Sequence, residues 1–412
     1  MRHVAIIGAG PSGCYLADQL VRAAPDIEVS VIERLPVPFG LVRYGVAPDH
    51  QGTKAVARLF ERTLGAERVR FFGHVEVGTD LAMAELAALY DAVVLATGAS
   101  RERKLGIPGE TLPGVFGSGA FVGGYNGHPD APQLRLAGVR SAVVIGNGNV
   151  ALDVARVLAK AAAEFAGSDL SPVLTAHLAQ QPLETIHVVG RRGPAAAKFT
   201  TEELAEFRTL ARAAVEVADP AALDAAGSAA SPNLEVLKGF VANPVQRPVV
   251  VCFHFNQQPT AFVGDERLEG VEFEGPAGAR QRLAAQLAVT CIGYETTACG
   301  TLVPQRGVFA NEQGRIGEGR YVIGWAAHGP NGTIPGSRVA AKALAARMAA
   351  EVADHQRAGA VGLATLLVQR GVRIVDHGGW QRIDAAERTR AASDRCREKF
   401  TSVAAMLQVM AQ

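Results

Sequence analysis

The sequence predicts an α/β protein with two Rossmann-like nucleotide-binding units in one chain. Three observations carry this. A short apolar run ending in glycine opens the chain at residues 3–7 and recurs at 141–145. Each run enters a Gly-x-Gly-x-x-(Gly/Ala) loop, Gly8–Gly13 and Gly146–Ala151, and then an apolar-periodic helix. Each helix leads to another apolar strand, so strand–turn–helix–strand occurs twice.

In order along the chain, strand 3–7 passes through Gly8 into a helix over 11–23, and then to a strand over 28–33. Residues 91–99 (DAVVLATGA) form a strand that closes the first unit. The second unit runs from strand 141–145 to a helix over 150–163. A helical segment bounded by 180–185 follows, and then a strand over 185–190. Residues 287–294 (LAVTCIGY) close that unit, and the crossovers between domains are placed just after 99 and 294. Residues 218–233 are small, polar and Pro-bearing, which predicts a surface loop. An Ala-rich helix is expected over 338–357, and the tail from Trp380 to Met410 reads as helical towards its end.

The 412 residues suit two or three domains, and 48% hydrophobic against 20% charged residues is a normal globular balance. A net charge of +1 gives no general attraction to nucleic acid, which excludes that class of partner. The five cysteines contain no C-x-x-C pair. That excludes common zinc-ribbon and iron–sulfur spacings and a disulfide-reductase dithiol. An odd, scattered set reads as reduced thiols in the cytoplasm. No apolar run reaches the ~18 residues of a membrane span, and the first strand begins too early for a signal peptide.

In the first loop, Gly8 makes the tight turn, Gly10 lets a pyrophosphate approach the backbone, and Gly13 lets helix and strand pack closely. The helix start offers free N–H groups to phosphate. Glu33 ends the next strand, where a carboxylate accepts hydrogen bonds from ribose hydroxyls. In the second loop, Gly146-Asn147-Gly148-Asn149-Val150-Ala151, alanine takes the third glycine position, and Arg191-Arg192 stand where the first unit has its acid. Guanidinium groups bind a 2′-phosphate through charge-assisted hydrogen bonds, whereas a carboxylate would repel it. The second nucleotide is therefore expected to be NADP(H). One acid-bearing and one arginine-bearing site together suggest a flavin–nicotinamide pair, with FAD in the first unit.

At this point several segments resemble adrenodoxin reductase-type ferredoxin–NADP⁺ reductases. They are residues 38–50 (PFGLVRYGVAPDH), 73–78 (GHVEVG), 107–110 (IPGE), 125–130 (YNGHPD), 146–156 (GNGNVALDVAR), 190–194 (GRRGP) with Phe199-Thr200, and 399–402 (KFTS). They keep the family's order and spacing over essentially the whole chain.

The resemblance implies two three-layer domains, with a discontinuous FAD domain (1–101 and 294–412) around an NADP domain (102–293). FAD contacts would fall on Ser12, Glu33, Leu41, Val77, Trp325, Gly332, Thr333 and Ile334. NADPH contacts would fall on Asn147, Gly148, Asn149, Val150, Arg191, Arg192 and Glu203. The implied activity passes electrons from NADPH through FAD to a ferredoxin-type iron–sulfur protein. Residues 324–338 depart from the family pattern: its basic pair is reduced to His328, and Pro335 removes a backbone donor, so a hydrogen bond to the flavin is expected to be lost. Ala205 stands where the family often has a basic residue facing the partner, with Arg208 and Arg212 nearby.

Hydride transfer between stacked rings needs positioning and dryness more than acid–base help. His50 and Asp153 are the residues expected to tune protons near the rings; for each, a simple structural hydrogen bond or helix-dipole role has equal weight. Trp380 is expected to pack, Cys291 and Cys299 to be buried thiols, and Arg34, Arg43 and 101–104 (RERK) to be solvated. Two other readings share the fold. One is an NADPH-dependent flavin reductase with a quinone or small-molecule acceptor, and the other a non-catalytic FAD-binding module.

Overall fold

Alternate residues of the first strand enter different cores. In β1 (Arg2–Ile7), Val4 and Ile6 join one apolar cluster while Ala5 and Ile7 join another on the opposite face. A strand buried on both sides belongs to the middle of a parallel, helix-covered sheet. The computed structural model describes residues 1–180, 183–225 and 231–410.

The remaining strands are β2 (Ile27–Glu33), β3 (Val69–Gly73), β4 (Ala92–Leu95), β5 (Arg101–Glu102), β6 (Val115–Gly117), β7 (Ser141–Ile145), β8 (Thr185–Val189) and β9 (Ala213–Val217). They continue as β10 (Val249–His254), β11 (Gln258–Val263), β12 (Gly270–Glu274), β13 (Arg280–Ala284), β14 (Leu287–Thr290), β15 (Tyr294–Glu295), β16 (Arg315–Gly317) and β17 (Arg320–Val322).

One six-stranded sheet has the order β16-β17-β4-β1-β2-β3, parallel apart from β16. The other runs β6-β14-β7-β8-β10-β9 and is parallel throughout. Helices Pro11–Ala23 and Ile334–Glu351 lie together on one face of the first sheet, and Leu86, Leu363 and Leu367 cover the other. In the second sheet, Val143, Ile145 and Val189 pack against Phe262, Val271 and Phe273 of an antiparallel sheet, β11-β12-β13. The predicted three-layer α/β architecture is thus present twice. The two-stranded ladder β5–β15 joins the crossovers between the lobes.

Element boundaries differ from the sequence reading where local chemistry outweighs periodicity. The helix expected over 150–163 is Asn149–Ala159, followed by a short 3₁₀ turn at Ala162–Phe165. The helix expected over 338–357 begins four residues earlier, because Thr333 caps it, and ends at Glu351. Within the expected loop 218–233 lie a helix at Ala221–Ala225 and the start of another at Pro232–Ala242; residues 226–230 lie outside the described residues. Helix Pro172–Gln180 is the segment expected before β8; Gln181 and Pro182 are likewise outside.

Arg43 was expected in solvent and is instead buried, ion-paired with Glu387 and stacked 5.3 Å from the Trp380 ring. The tail from residue 377 folds over it, so its charge has a partner that local sequence did not announce. Trp380 is packed as expected, edge-on to Phe39 at 5.5 Å, its ring nitrogen donating to Glu61. Cys299 is buried, whereas Cys291 is only half-buried. Among the described residues, no helix is long and apolar enough to cross a membrane.

Candidate functional site

The first loop leaves β1 at Ile7 and, after three intervening residues, enters helix Pro11–Ala23. Gly8 has φ 111°, and a Cβ on Gly13 would lie 2.0 Å from the Gly8 carbonyl oxygen, so helix and strand pack backbone to backbone. Around Gly10 a Cβ would meet nothing within 4 Å, which leaves room for a pyrophosphate on the helix N-terminus.

Glu33 holds this loop in shape: its carboxylate accepts from the Ala9 N–H at 3.0 Å and the Leu35 N–H at 3.2 Å. Burial raises its pKa, with the two amides opposing. Leu41, in helix Gly40–Tyr44, is 46% exposed beside the loop, and Gly40 approaches Gly10 closely enough that a Cβ would sit 3.2 Å from its Cα.

The C-terminal segment closes the same end of the sheet. The Ser12 side chain fills the space that a Cβ on Gly324 would need, which sets the Trp325 turn against the glycine loop. Trp325 stacks on Tyr294 with centroids 6.2 Å apart, and half-buried Val77 packs in the cluster that contains Ala326. Gly332 has φ 94°, and Thr333 accepts from the Gly336 N–H at the head of helix Ile334–Glu351. Pro335 sits in that helix's first turn, where an N–H has no intrahelical partner. The helix therefore forms intact, and the expected loss is confined to the one donor at 335.

In the second lobe, β7 passes through Gly146 (φ 146°) and Gly148 into helix Asn149–Ala159, where buried Ala151 takes the third glycine position. Asn147 is tucked against Gly190, and both its amide nitrogen and oxygen are buried without a partner among the described residues. Asn149 accepts from the Thr200 N–H at 2.8 Å, and Val150 is 37% exposed at the helix start. Arg191 and Arg192 follow β8, both exposed and neither in an ion pair among the described residues. Beside them a cleft of about 440 Å³ is lined by Gly193, Pro194, Asp219, Ala222 and Asn256.

Between the lobes the structure gathers His50, Asp153 and Glu203 with three residues that the sequence reading missed. His50 Nε2 lies 3.1 Å from Glu206 and 2.8 Å from an Arg156 nitrogen, and its Nδ1 lies 3.8 Å from Asp153. The neutral ring can accept from Arg156 at Nε2; the protonated ring donates to Glu206 instead. The bond to Glu206 raises the His50 pKa and lowers that of Glu206. Arg156 also pairs with Asp153 (2.9 Å), Glu206 (3.0 Å) and Asp49.

Burial pushes Asp153 up despite these cations, and pushes Glu203 up to about 7, with one Glu203 oxygen buried and without a partner among the described residues. His50, Glu203 and Glu206 could between them ligate a cation, but Arg156 already supplies positive charge at that spot. Signals for the missed residues were present. Asp49 precedes His50, Arg156 is three residues past Asp153 on one helix face, and Glu206 is three past Glu203. Of the arginines nearby, Arg212 turns inward to the Leu183 carbonyl and Arg208 lies over Phe240.

Residues 2–208 match the family model described as pyridine nucleotide-disulphide oxidoreductase. The chain is 39% identical to cindoxin reductase of Citrobacter braakii, covering 98% of this chain and 90% of that one. It is 37% identical to NADPH-ferredoxin reductase FprA of Mycobacterium tuberculosis, covering 99% and 98%. It is 34% identical to mitochondrial NADPH:adrenodoxin oxidoreductase of Arabidopsis thaliana, covering 94% and 90%. The solved structure of Mycobacterium tuberculosis FprA in complex with NADPH superposes over both whole chains, with a TM-score of 0.92 at 36% identity. Two glycine loops in two parallel sheets, matched end to end by these relatives, settle the kinship: the chain belongs to the pyridine nucleotide-disulphide oxidoreductase family, among its ferredoxin–NADP⁺ reductases of the adrenodoxin reductase type.

Proposed function

We propose that this chain is an NADPH-dependent flavoprotein that passes electrons from NADPH, by way of FAD, to a ferredoxin-type iron–sulfur protein held in a transient contact. The carrying observation is the contrast between the two loops. The first is braced by the Glu33 carboxylate, and the second faces two exposed arginines that no carboxylate among the described residues engages. NADPH-ferredoxin and adrenodoxin reductases among the relatives support the same reading. In this reading residues 1–101 and 294–412 hold FAD, and residues 102–293 hold NADP(H).

FAD, when bound, supplies the chemistry that links a two-electron hydride donor to a one-electron acceptor. The chain's residues then do the rest. Gly8, Gly10, Ser12 and Gly13 seat the FAD pyrophosphate, and Glu33 accepts from a ribose hydroxyl. Leu41, Val77 and Trp325 wall the flavin, and Gly332, Thr333 and Ile334 present the head of a helix to it. Asn147, Gly148, Asn149 and Val150 seat the second pyrophosphate, giving the unpartnered Asn147 amide its missing partners. Arg191 and Arg192 grip the 2′-phosphate. His50 holds a proton between Glu206 and Asp153 at the seam, and with Glu203 sets the charge beside the rings. Five cysteines, all free, suit the reducing cytoplasm, where we place the protein.

Anaerobic titration of the purified flavoprotein with NADPH, and separately with NADH, tests this. Fast bleaching of the flavin absorbance by NADPH and slow bleaching by NADH is expected, followed by recovery when an oxidised ferredoxin is added. A bound flavin that NADPH leaves unbleached would overturn the proposal. Recovery with a quinone but with no ferredoxin would move the acceptor to the small-molecule class.

A further inference from the structure

We propose that the second lobe carries a zinc site, separate from both nucleotide loops, built from His187, Cys252 and His254. The three residues come together because of strand register. In the parallel pair β8–β10, Cys252 lies opposite His187, and His254 is two residues further along the same strand, on the same face. Their candidate ligand atoms, one ring nitrogen from each histidine and the Cys252 sulfur, all lie within 4.8 Å of one another. His187 Nδ1 and His254 Nε2 are 3.0 Å apart. A tetrahedral zinc, at about 2.1 Å from nitrogen and about 2.3 Å from sulfur, sets its ligand atoms roughly 3.3–3.7 Å apart. Binding would break the hydrogen bond that now joins the two imidazoles and draw the three ligand atoms from within 4.8 Å to that spacing.

The surroundings favour a cation of this class. On the same face, the cover provided by β11-β12-β13 lies over Val143 and Val189, the neighbours of His187 and His254 on adjacent strands. His254 is buried, while His187 and Cys252 are half-buried, so the cluster sits at the margin of that cover with a way in for an ion. Burial pushes both imidazoles down, His254 to about 4, and pushes the Cys252 thiol up to about 11, so the ion itself must displace the thiol proton. On β9, Glu216 lies opposite Cys252 in register and adds negative charge to the patch. Two imidazoles and one thiolate suit zinc, whereas magnesium and calcium take oxygen ligands. On binding, zinc displaces the Cys252 thiol proton to solvent, and water from solvent fills the fourth position. The ion ties β8 to β10 four residues before Arg191 and takes no part in electron transfer.

The test uses the flavin-loaded full chain, stripped with a chelator, with zinc chloride as the probe. Calorimetry should give one tight zinc per chain, and zinc should raise the thermal unfolding midpoint. In Cys252→Ser and in His187→Asn, affinity should fall at least about tenfold and the midpoint should no longer respond to zinc. Both variants should keep their flavin and bleach with NADPH like the parent, which separates lost ligation from lost folding and from failure of the reductase reading. Equal zinc binding by the parent and both variants, or no stoichiometric uptake by the parent, would overturn the site. Tighter binding of Cu⁺ than of zinc through the same residues would overturn the choice of metal.

Discussion

Phe39 takes φ 83°, a left-handed conformation that is strained for a bulky residue. Its N–H donates to the Ala9 carbonyl, and its ring is held against Trp380 and Phe60. The reward for that strain is the placement of Gly40 directly against Gly10. Gly40→Ala puts a methyl 3.2 Å from the Gly10 Cα, at a residue whose own φ is 45°. We expect such a variant to purify with much less flavin, measured as the ratio of visible to ultraviolet absorbance.

The double change Arg191→Ala, Arg192→Ala should raise the KM for NADPH at least roughly a hundredfold, since each charge-assisted bond is worth about 1.5–3 kcal/mol. The KM for NADH should stay nearly constant; equal effects on the two would remove the 2′-phosphate argument. At the seam, Glu206 raises the pKa of His50, so this pair's stabilisation is full below the ordinary histidine value and is lost as pH rises through the raised one. On the Glu206 side, the lowered pKa means stabilisation present above the ordinary carboxylate value and lost as pH falls. Glu206→Gln should therefore shift the His50 titration to lower pH in NMR spectra. The arginine pair is legible in sequence because its place after a strand is fixed by the glycine loop. Glu206 and Arg156 show in sequence only their three-residue spacing from Glu203 and Asp153; what they pair with is hidden, because His50 and Asp49 are about a hundred or more residues away.

At the level of elements, strong punctuation makes the reading accurate. Helix Pro11–Ala23 matches the expected limits because glycines precede it and Pro11 starts it. The strand expected over 91–99 shrinks to Ala92–Leu95, since pairing with β1 stops at Ile7, where the glycine loop turns away. Periodicity does not register where a neighbour ends. Pro335 lies in a first turn, so Pro335→Gly should leave flavin retention unchanged and lower the unfolding midpoint by an amount equivalent to about 0.5–1 kcal/mol, from added freedom in the unfolded chain. A flavin lost with that variant would show that the ring conformation at 335 shapes the site. Gly13→Ala should be far more damaging, because its methyl would meet the Gly8 carbonyl at 2.0 Å.

Across the whole molecule, Lys54 from the first segment, Asp169 from the second lobe and Lys399 from the tail meet in one buried cluster, with each lysine 2.7 Å from Asp169. Two cations share one carboxylate, and burial pushes Lys399 down to about 7. The unfolded chain keeps that proton up to about pH 10.5, so stability should rise with pH between about 7 and 10.5. Lys399→Met should flatten this slope in denaturant melts; an unchanged slope would refute the assignment. Local patterns name the two units. The return of the chain to complete the first sheet is visible only through the family resemblance, which implies a discontinuous first domain and reaches the tail at residues 399–402, because no periodicity in β16 or β17 says which sheet receives them.

That return has a consequence for synthesis. The first sheet needs β17 beside β4, and 224 residues separate Leu95 from Arg320. At roughly 5–20 residues per second a ribosome takes about 10–45 s to cover that span. During this interval the second lobe, whose strands are contiguous in sequence, can close on its own, while the N-terminal segment waits with an open edge at β4. Chaperone engagement should therefore concentrate on the nascent first hundred residues, and flavin capture should come after the inner lobe has already folded.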